Sequence, residues 1–159
     1  MKLIHKNNGD KILENADIFF PKDNLEYISE ELRKVENKFY QVFDLNPCPM
    51  AINTLTDNTI IDVNQSYMDI IGIKDKKEVI GKDTTETGLN IIKKKDKLHV
   101  MNMIKLNGVI KNYLTTVKPI KGKKFKGLFS GSIITLNGMD CLLTICQVVT
   151  NRYLLNLIL

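Results

Sequence analysis

The most regular pattern of apolar residues lies between positions 25 and 42. Six apolar residues recur there at alternating spacings of three and four: Leu25, Ile28, Leu32, Val35, Phe39 and Val42. This is the a/d pattern of a coiled-coil seam, and it predicts an amphipathic helix over about 24–44 with Asp23 as its N-cap. The pattern covers fewer than three heptads. Two interpretations therefore stay open: a helix docked on its own domain, and the seam of a homodimer.

Beyond this helix the pattern becomes β-like. Pro47 and Pro49 end the helix, because each removes a backbone donor and restricts its neighbour to extended geometry. The later patterns predict, in order, strands at 50–54 and 59–63, helices at 65–71 and 76–80, a loop at 82–90, a longer helix at 92–106, and strands at 109–117, 125–136 and 139–150. Asn64 is the expected N-cap of the 65–71 helix, and Asn137-Gly138 favours a tight hairpin turn. The order predicts an α+β domain: a five-stranded antiparallel sheet with short helices on one face, preceded by the amphipathic helix.

Length and charge limit the class of protein. The 159 residues are 43% hydrophobic and 26% charged, which fits one globular domain with one appended element. The formal net charge of +5 divides into −2 for residues 1–44 and +7 for residues 45–159. Only Arg33 and Arg152 are arginines, the side chain preferred for bidentate recognition of phosphates and bases. No nucleic-acid partner is therefore expected, and the lysines are interpreted as solvent-exposed side chains that favour solubility.

The cysteines and the apolar runs predict a cytoplasmic protein. Cys48, Cys141 and Cys146 form no C-x-x-C pair and cannot make a disulfide framework. Cys141 and Cys146 are five residues apart, so an extended strand directs them to opposite faces, and no metal site is expected. The N-terminal apolar stretch is too short for a signal peptide, and no apolar run approaches the 18 residues of a membrane span.

Several short motifs occur in an order that resembles the PAS sensory domain. They are Phe39-Tyr40-Gln41-Val42-Phe43 leading into Asn46-Pro47-Cys48-Pro49-Met50-Ala51-Ile52, then Ile61-Asp62-Val63-Asn64-Gln65-Ser66-Tyr67, Ile71-Gly72, Val79-Ile80-Gly81-Lys82, Asn107-Gly108 and Asn137-Gly138. The resemblance covers about residues 36–152. It implies four segments: an N-terminal extension at 1–22, an amphipathic helix at 23–45, a PAS-like domain at 46–152, and the start of an output helix or linker at 153–159.

The resemblance also implies a role in signalling. PAS domains of this kind occur in bacterial sensor histidine kinases, where they sense a ligand or partner and relay the signal through flanking helices. The family usually ends in Asp-Ile-Thr-x-Arg, whereas this chain has Val148-Val149-Thr150-Asn151-Arg152, so the acid of that motif is replaced by valine. The chain has no phosphoacceptor His segment or Gly-rich ATP-binding lobe, so any kinase activity is expected in a further region or a partner.

The family places small molecules between the long helix and the sheet. His99 lies on the predicted long helix, where haem-binding relatives carry a proximal His, and an exposed His on an amphipathic helix is the simpler interpretation. Tyr67, Met101 and Met103 are candidate pocket residues, although a Met-bearing helix face is also typical of ordinary core. Photoreactive relatives present a flavin-reactive Cys as Asn-Cys-Arg-Phe, and no Cys lies between residues 49 and 140. No particular cofactor is implied.

Three functional classes remain to be compared. The first is a non-catalytic sensory and interaction module, acting as a homodimer through the 25–42 helix and on a downstream kinase or regulator. The second is a ligand-free structural dimerisation domain. The third is a small hydrolase or isomerase with His99 as general base, and the sequence lacks the G-x-S-x-G, H-E-x-x-H and P-loop patterns that would support it. The expectation is that the chain is not an enzyme.

Overall fold

A computed structural model describes residues 22–91 and 93–150. The chain divides into two units, residues 1–37 and residues 38–159. The extension predicted at 1–22, except for Lys22, and the output-helix start predicted at 153–159 both lie outside the described residues.

Helix α1 spans Lys22–Asp44. It begins at Lys22, so Asp23 lies in its first turn, and the prediction of Asp23 as N-cap is wrong. The six residues predicted to form the seam, called the apolar seam below, are between 43% and 70% exposed. On the polar side Lys34 Nζ lies 2.7 Å from Glu31 Oε1, an exposed pair that contributes little to stability.

Within residues 22–91 and 93–150, six strands form one antiparallel sheet in the order β2-β1-β6-β5-β4-β3. They are β1 (Met50–Thr54), β2 (Ile60–Val63), β3 (Leu89–Ile91), β4 (Val109–Pro119), β5 (Phe125–Leu136) and β6 (Met139–Val148). The predicted count of five is corrected to six. The additional strand, β3, lies in a segment predicted to be a loop, and it pairs with the end of β4 through Leu89 opposite Pro119 and Ile91 opposite Val117.

Short helices occupy the connection between β2 and β4. They are α2 (Gln65–Ile71), a 3₁₀ helix (Lys76–Glu78), α3 (Thr84–Thr87) and α4 (Lys94–Asn107). Asn64 caps α2 as predicted, because its side-chain oxygen accepts a hydrogen bond from Tyr67 N–H. Helix α4 begins at Lys94 rather than at residue 92, and Asp83 caps α3 through Thr85 N–H.

Alternation along the central strands gives the sheet two different faces. We call the inner face the side formed by Ala51, Asn53, Leu142, Thr144 and Cys146, which line a cavity beside the helices. The outer face carries the intervening residues, which pack in a second cluster around Phe43: Met50, Ile52, Cys141, Leu143 and Ile145. Cys141 and Cys146 therefore lie on opposite faces, as their spacing predicts.

Asn64 joins three separate pieces of the second unit. Its side chain is fully buried, and its Oδ1 accepts hydrogen bonds from the N–H groups of Met50 and Tyr67, both at 2.9 Å. The two protons of its Nδ2 are shared among the carbonyl oxygens of Phe43 (3.0 Å), Asn46 (3.2 Å) and Cys48 (2.9 Å). The cap function is confirmed, and it accounts for only one of these five contacts. The side chain ties the end of α1 to β1 and α2.

The hairpin between β5 and β6 turns at Asn137-Gly138 as predicted. Both residues have positive φ, +50° and +75°, which a type I′ turn requires at its two central positions. The turn sets the register of the longest strand pair, from Leu136 opposite Met139 to Gly127 opposite Val148. This hairpin supplies much of the inner face that the helices cover.

Candidate functional site

A cavity of about 360 Å³ lies between α4 and the inner face. Its volume falls within the range of about 300–1,000 Å³ that is typical of small-molecule sites. The sheet contributes alternate residues of β1 and β6, Val117 of β4, Phe129 of β5 and Leu89–Ile91 of the edge strand β3. Residues of α2, α3 and α4 complete the lining. The apolar part of the wall consists of Pro49, Ala51, Leu55, Leu89, Ile91, Val100, Met101, Val117, Phe129 and Leu142.

The exposed lining residues mark the opening of the cavity. Thr56 and Asp57 belong to the β1–β2 turn, Thr85 to α3 and Lys97 to α4, and all four are exposed. The opening carries two carboxylates and one ammonium group. Hydrogen bonds from Thr54 and Thr59 lower the pKa of Asp57, and the Thr85 N–H and hydroxyl, together with the nearby Lys97 charge, lower the pKa of Asp83. Both acids are therefore ionised at neutral pH.

A polar cluster of Asn53, Asn58 and Thr84 lies inside the opening. Asn53 follows three apolar residues in β1, Met50, Ala51 and Ile52, and like them it is buried, with only 3% of its surface exposed. Its Nδ2 donates to Thr84 Oγ1 at 2.6 Å and to Asn58 Oδ1 at 3.1 Å. Thr84 in turn donates its hydroxyl proton to the Asn58 carbonyl oxygen at 2.8 Å. The cluster fastens α3 to the β1–β2 hairpin and lines the cavity with amide and hydroxyl groups.

Tyr67 lines the cavity, as the resemblance implies for a pocket residue. Its hydroxyl oxygen accepts a hydrogen bond from Leu89 N–H at 3.1 Å, which fixes the start of β3. Burial raises the pKa of Tyr67 to about 12, so the group is neutral under physiological conditions. Gly88 allows this contact, since a Cβ at that position would lie 2.2 Å from the hydroxyl oxygen.

Helix α4 divides the remaining candidates between two sides. Asp96, Val100 and Ile104 recur every four residues on its buried side. Lys97 and Met101, one position later, line the cavity, so Met101 is at the predicted site. Met103 instead packs against the cluster around Val100 and Ile104, and it does not line the cavity.

His99 is exposed and lies away from the cavity. Its ring stacks on Tyr113 of β4, with centroids 4.9 Å apart and planes 29° apart. The physical reason is the helical period, because residue 99 is rotated about 100° from Val100, on the side opposite Met101. No histidine is among the described residues that line the cavity, so its donor set does not fit a haem with a proximal His.

Asp96 holds the first turn of α4 against β4. Its carboxylate accepts hydrogen bonds from Thr115 Oγ1 at 2.8 Å and from the Tyr113 hydroxyl at 3.2 Å. The Thr115 bond lowers the pKa of Asp96, and burial opposes this effect. The carboxylate also lies in the first helical turn, where negative charge is favoured. This contact positions the helical wall of the cavity.

Comparison with known proteins agrees with this geometry. Residues 37–100 match the model of the PAS domain family. The structure superposes on the PAS domain of an HTR-like protein from Haloarcula marismortui with a TM-score of 0.61 at 18% identity, covering 78% of this chain and 99% of that one. The chain has the PAS fold. A comparison of the sequence with curated proteins finds no match.

Other solved PAS domains give similar agreement. The PAS domain of nitrogen regulation protein NR(II) from Vibrio parahaemolyticus aligns with a TM-score of 0.57 at 12% identity, covering 69% of this chain and 96% of that one. A PAS domain from a two-component sensor histidine kinase aligns with a TM-score of 0.58 at 10% identity, covering 74% and 99%. The α+β PAS-like architecture predicted from sequence is confirmed. Within the described ranges, no helix is both long and apolar enough to cross a bilayer.

Sequence reasoning missed the polar cluster and Cys146 as parts of the site. Asn53 did carry a signal, because it is a polar residue on the same face of a short apolar strand as Ala51, two residues before it. Thr84 and Asn58 carried none, since their approach depends on how α3 crosses the β1–β2 hairpin. The Cys146 thiol lines the cavity from β6, and burial raises its pKa to about 12.

Proposed function

We propose that this chain is a non-catalytic sensory module of a signalling protein, which binds a small molecule in the cavity between α4 and the inner face. The observation that carries the proposal is the cavity itself. It combines an apolar wall with a few buried polar groups, which is the usual composition of a small-molecule site. Solved PAS domains of similar fold include one from a two-component sensor histidine kinase.

The contacts around Asn64 support a route from the cavity wall to α1. Ala51 lines the cavity, and its neighbour Met50 donates its N–H to Asn64 Oδ1. Asn64 Nδ2 in turn binds the Phe43 carbonyl in the last turn of α1. Lys76 adds a second link, with its Nζ 3.3 Å from Asp44 and 3.0 Å from Asp62 of β2. A ligand that shifts β1 would therefore alter contacts at the end of α1.

The ligand proposal is tested on protein purified from its natural source. Native mass spectrometry is expected to show an added mass that is lost on denaturation, and removing that species should lower the melting temperature. Protein that carries no added mass, and whose stability is unchanged by extracts of the source cell, would contradict the proposal.

The apolar seam favours homodimerisation through α1 as a second element of the function. All six seam residues are exposed in the single chain, and helices with this a/d pattern bury it by pairing. Leu32→Lys should place a charge in that seam and halve the apparent mass in light scattering. Asn37→Lys is the matched control, since it adds the same charge at the f position of the same helix. Equal masses for the two variants and the wild type would contradict the dimer.

We also propose that the module acts within, or as a partner to, a sensor histidine kinase. The structural likeness to a kinase PAS domain supports this context. The reading frame that contains residues 1–159 provides the test. A phosphoacceptor helix and an ATP-binding lobe in the same frame, or in an adjacent gene whose product binds this chain, is the expected finding. A complete operon without either would contradict it.

A further inference from the structure

The cavity contains a buried acceptor without a donor. Among the buried side-chain nitrogen and oxygen atoms of the described residues, Asn53 Oδ1 is the one that has no hydrogen-bond partner. A buried polar atom left unpaired is costly, and such atoms in native proteins are normally satisfied by protein or by a bound molecule. Asn53 lines the cavity, although its Oδ1 itself has almost no exposed surface, so a molecule bound there could satisfy this oxygen after a small rotation of the side chain.

The surrounding hydrogen bonds fix which atom of the Asn53 amide is the acceptor. The Thr84 hydroxyl proton is donated to the Asn58 carbonyl oxygen, which can only accept. With that proton on the Asn58 carbonyl, Thr84 Oγ1 accepts from Asn53, which assigns the atom 2.6 Å away as the nitrogen Nδ2. The same nitrogen donates to Asn58 Oδ1. Flipping the amide would lose both bonds, so Oδ1 remains the unpaired atom.

The charges near the opening restrict the ligand further. Asp57 and Asp83 line the cavity next in sequence to Asn58 and Thr84, the two residues that bind Asn53, and Lys97 supplies one opposing charge. A ligand carboxylate or phosphate would meet two like charges and an acceptor oxygen that cannot donate. A neutral hydroxyl, an amide N–H or an ammonium group would meet neither conflict. The remaining wall is apolar, and the volume equals that of about twelve water molecules.

We propose that the ligand is a small molecule with an apolar body and a neutral or cationic hydrogen-bond donor, which it directs to Asn53 Oδ1. This inference rests on the proposed function and specifies the chemistry of that site. Asn53 then acts as the group that selects donors over acceptors. The opening carboxylates reinforce the selection by repelling anions.

Four probes of similar size test the selection by NMR titration of labelled protein: 2-phenylethanol, 2-phenylethylamine, 2-phenylethyl methyl ether and 3-phenylpropionate. The alcohol and the amine should bind at least about tenfold more tightly than the ether and the carboxylate, because only they supply a donor. Their shift changes should include the Asn53 side-chain amide and residues of β1 and α4.

Two variants separate selection from folding. In Asn53→Leu the alcohol should lose its advantage over the ether. In Thr84→Val, where the bond from Asn53 Nδ2 to Asn58 Oδ1 still holds the amide in the same orientation, the advantage should persist. The comparison of alcohol with ether in the wild type needs no variant, so it decides the question even where a variant fails to fold.

The outcomes distinguish this inference from the proposed function. If the ether binds in the cavity as tightly as the alcohol, the donor inference is overturned and ligand binding stands. If the carboxylate binds most tightly, the charge argument fails as well. If none of the four probes shifts a cavity resonance up to its solubility limit, both the inference and the ligand-binding function are contradicted.

Discussion

Asn64→Ala should be among the most destabilising single substitutions in this domain. The side chain is fully buried; its Oδ1 accepts two hydrogen bonds, and the two protons of its Nδ2 are shared among three carbonyl oxygens. At about 1 kcal/mol net for each bond, and with the partners left in a dry environment, the free energy of unfolding should fall by about 3–5 kcal/mol. A domain of ordinary stability has only about 5–15 kcal/mol, so the loss is a large fraction of the total.

Two further variants show whether Asn64 acts as more than a helix cap. Asp and Asn cap helices about equally well, so Asn64→Asp would be nearly neutral for a simple cap. Here the aspartate keeps the two accepted bonds, loses the donated ones and sets an oxygen against three carbonyl oxygens. Its cost at pH 7 should therefore match or exceed that of alanine. Asp75→Ala, which removes an exposed cap of the 3₁₀ helix, is the control and should cost about 1 kcal/mol.

Urea denaturation followed by circular dichroism provides the measurement, with unfolding free energies compared at equal m-values. The Asn64→Asp cost should also shrink as pH falls, because a protonated carboxyl can donate again. A cost near 1 kcal/mol for Asn64→Ala, or a neutral Asn64→Asp, would refute the assignment of Asn64 as the junction of α1, β1 and α2.

Three further predictions concern the cavity wall. Gly88→Ala should destabilise by about 1–3 kcal/mol, because the new Cβ meets the Tyr67 hydroxyl at 2.2 Å, and Tyr67→Phe in the same chain should recover part of that loss in a double-mutant cycle. Above pH 10 the free energy of unfolding should fall, since the pKa of Tyr67 is about 12 in the folded chain and the unfolded chain releases that proton at lower pH. Tyr67→Phe should reduce the dependence of the unfolding free energy on pH by about 1.4 kcal/mol per pH unit between pH 10 and 12. An unchanged pH dependence would contradict the assignment of Tyr67 as a buried, neutral phenol. Iodoacetamide should modify Cys48 well before Cys146, whose thiol is buried with its pKa raised to about 12; peptide mapping that finds equal rates would show that the cavity wall opens freely.

The sequence predicted the regular elements well where local signals were strong. The strands at 50–54 and 125–136 and the helix at 65–71 have the predicted bounds. Each is delimited by residues with a clear local preference, such as Pro49 before β1 and Gly72, which adopts the left-handed conformation, after α2. Such residues mark the bounds of an element locally, although the element itself is stabilised by its neighbours in the fold.

The elements that were missed depend on tertiary contacts. Strand β3 has three residues, too few for any periodicity, and it exists because Leu89–Ile91 pairs with the end of β4. Helix α3 is a single turn of Thr-Thr-Glu-Thr, a sequence with low helix propensity, and it is held by the Asp83 cap and by the contact of Thr84 with Asn53. Neither could be read from local pattern alone.

The candidate site was predictable in location and only partly in composition. The helical pattern could not exclude His99, because α4 carries apolar residues on several sides: Val100 and Ile104 are buried, whereas Leu98 and Leu106 are exposed. Tyr67 and Met101 line the cavity. The unpaired acceptor of Asn53 was beyond sequence reasoning, since it depends on hydrogen bonds to residues 5 and 31 positions away.

The alternation along β1 and β6 also has a consequence for how such a domain diversifies. Positions 51, 53, 142, 144 and 146 meet the cavity, while positions 50, 52, 141, 143 and 145 pack on the other side of the same sheet. Two selection pressures are thus interleaved one residue apart in the same short segments. Under the proposed function, ligand preference can drift through the odd positions of β1 and the even positions of β6 while the outer packing is inherited unchanged. A library that varies only those cavity positions would retune specificity on a constant scaffold.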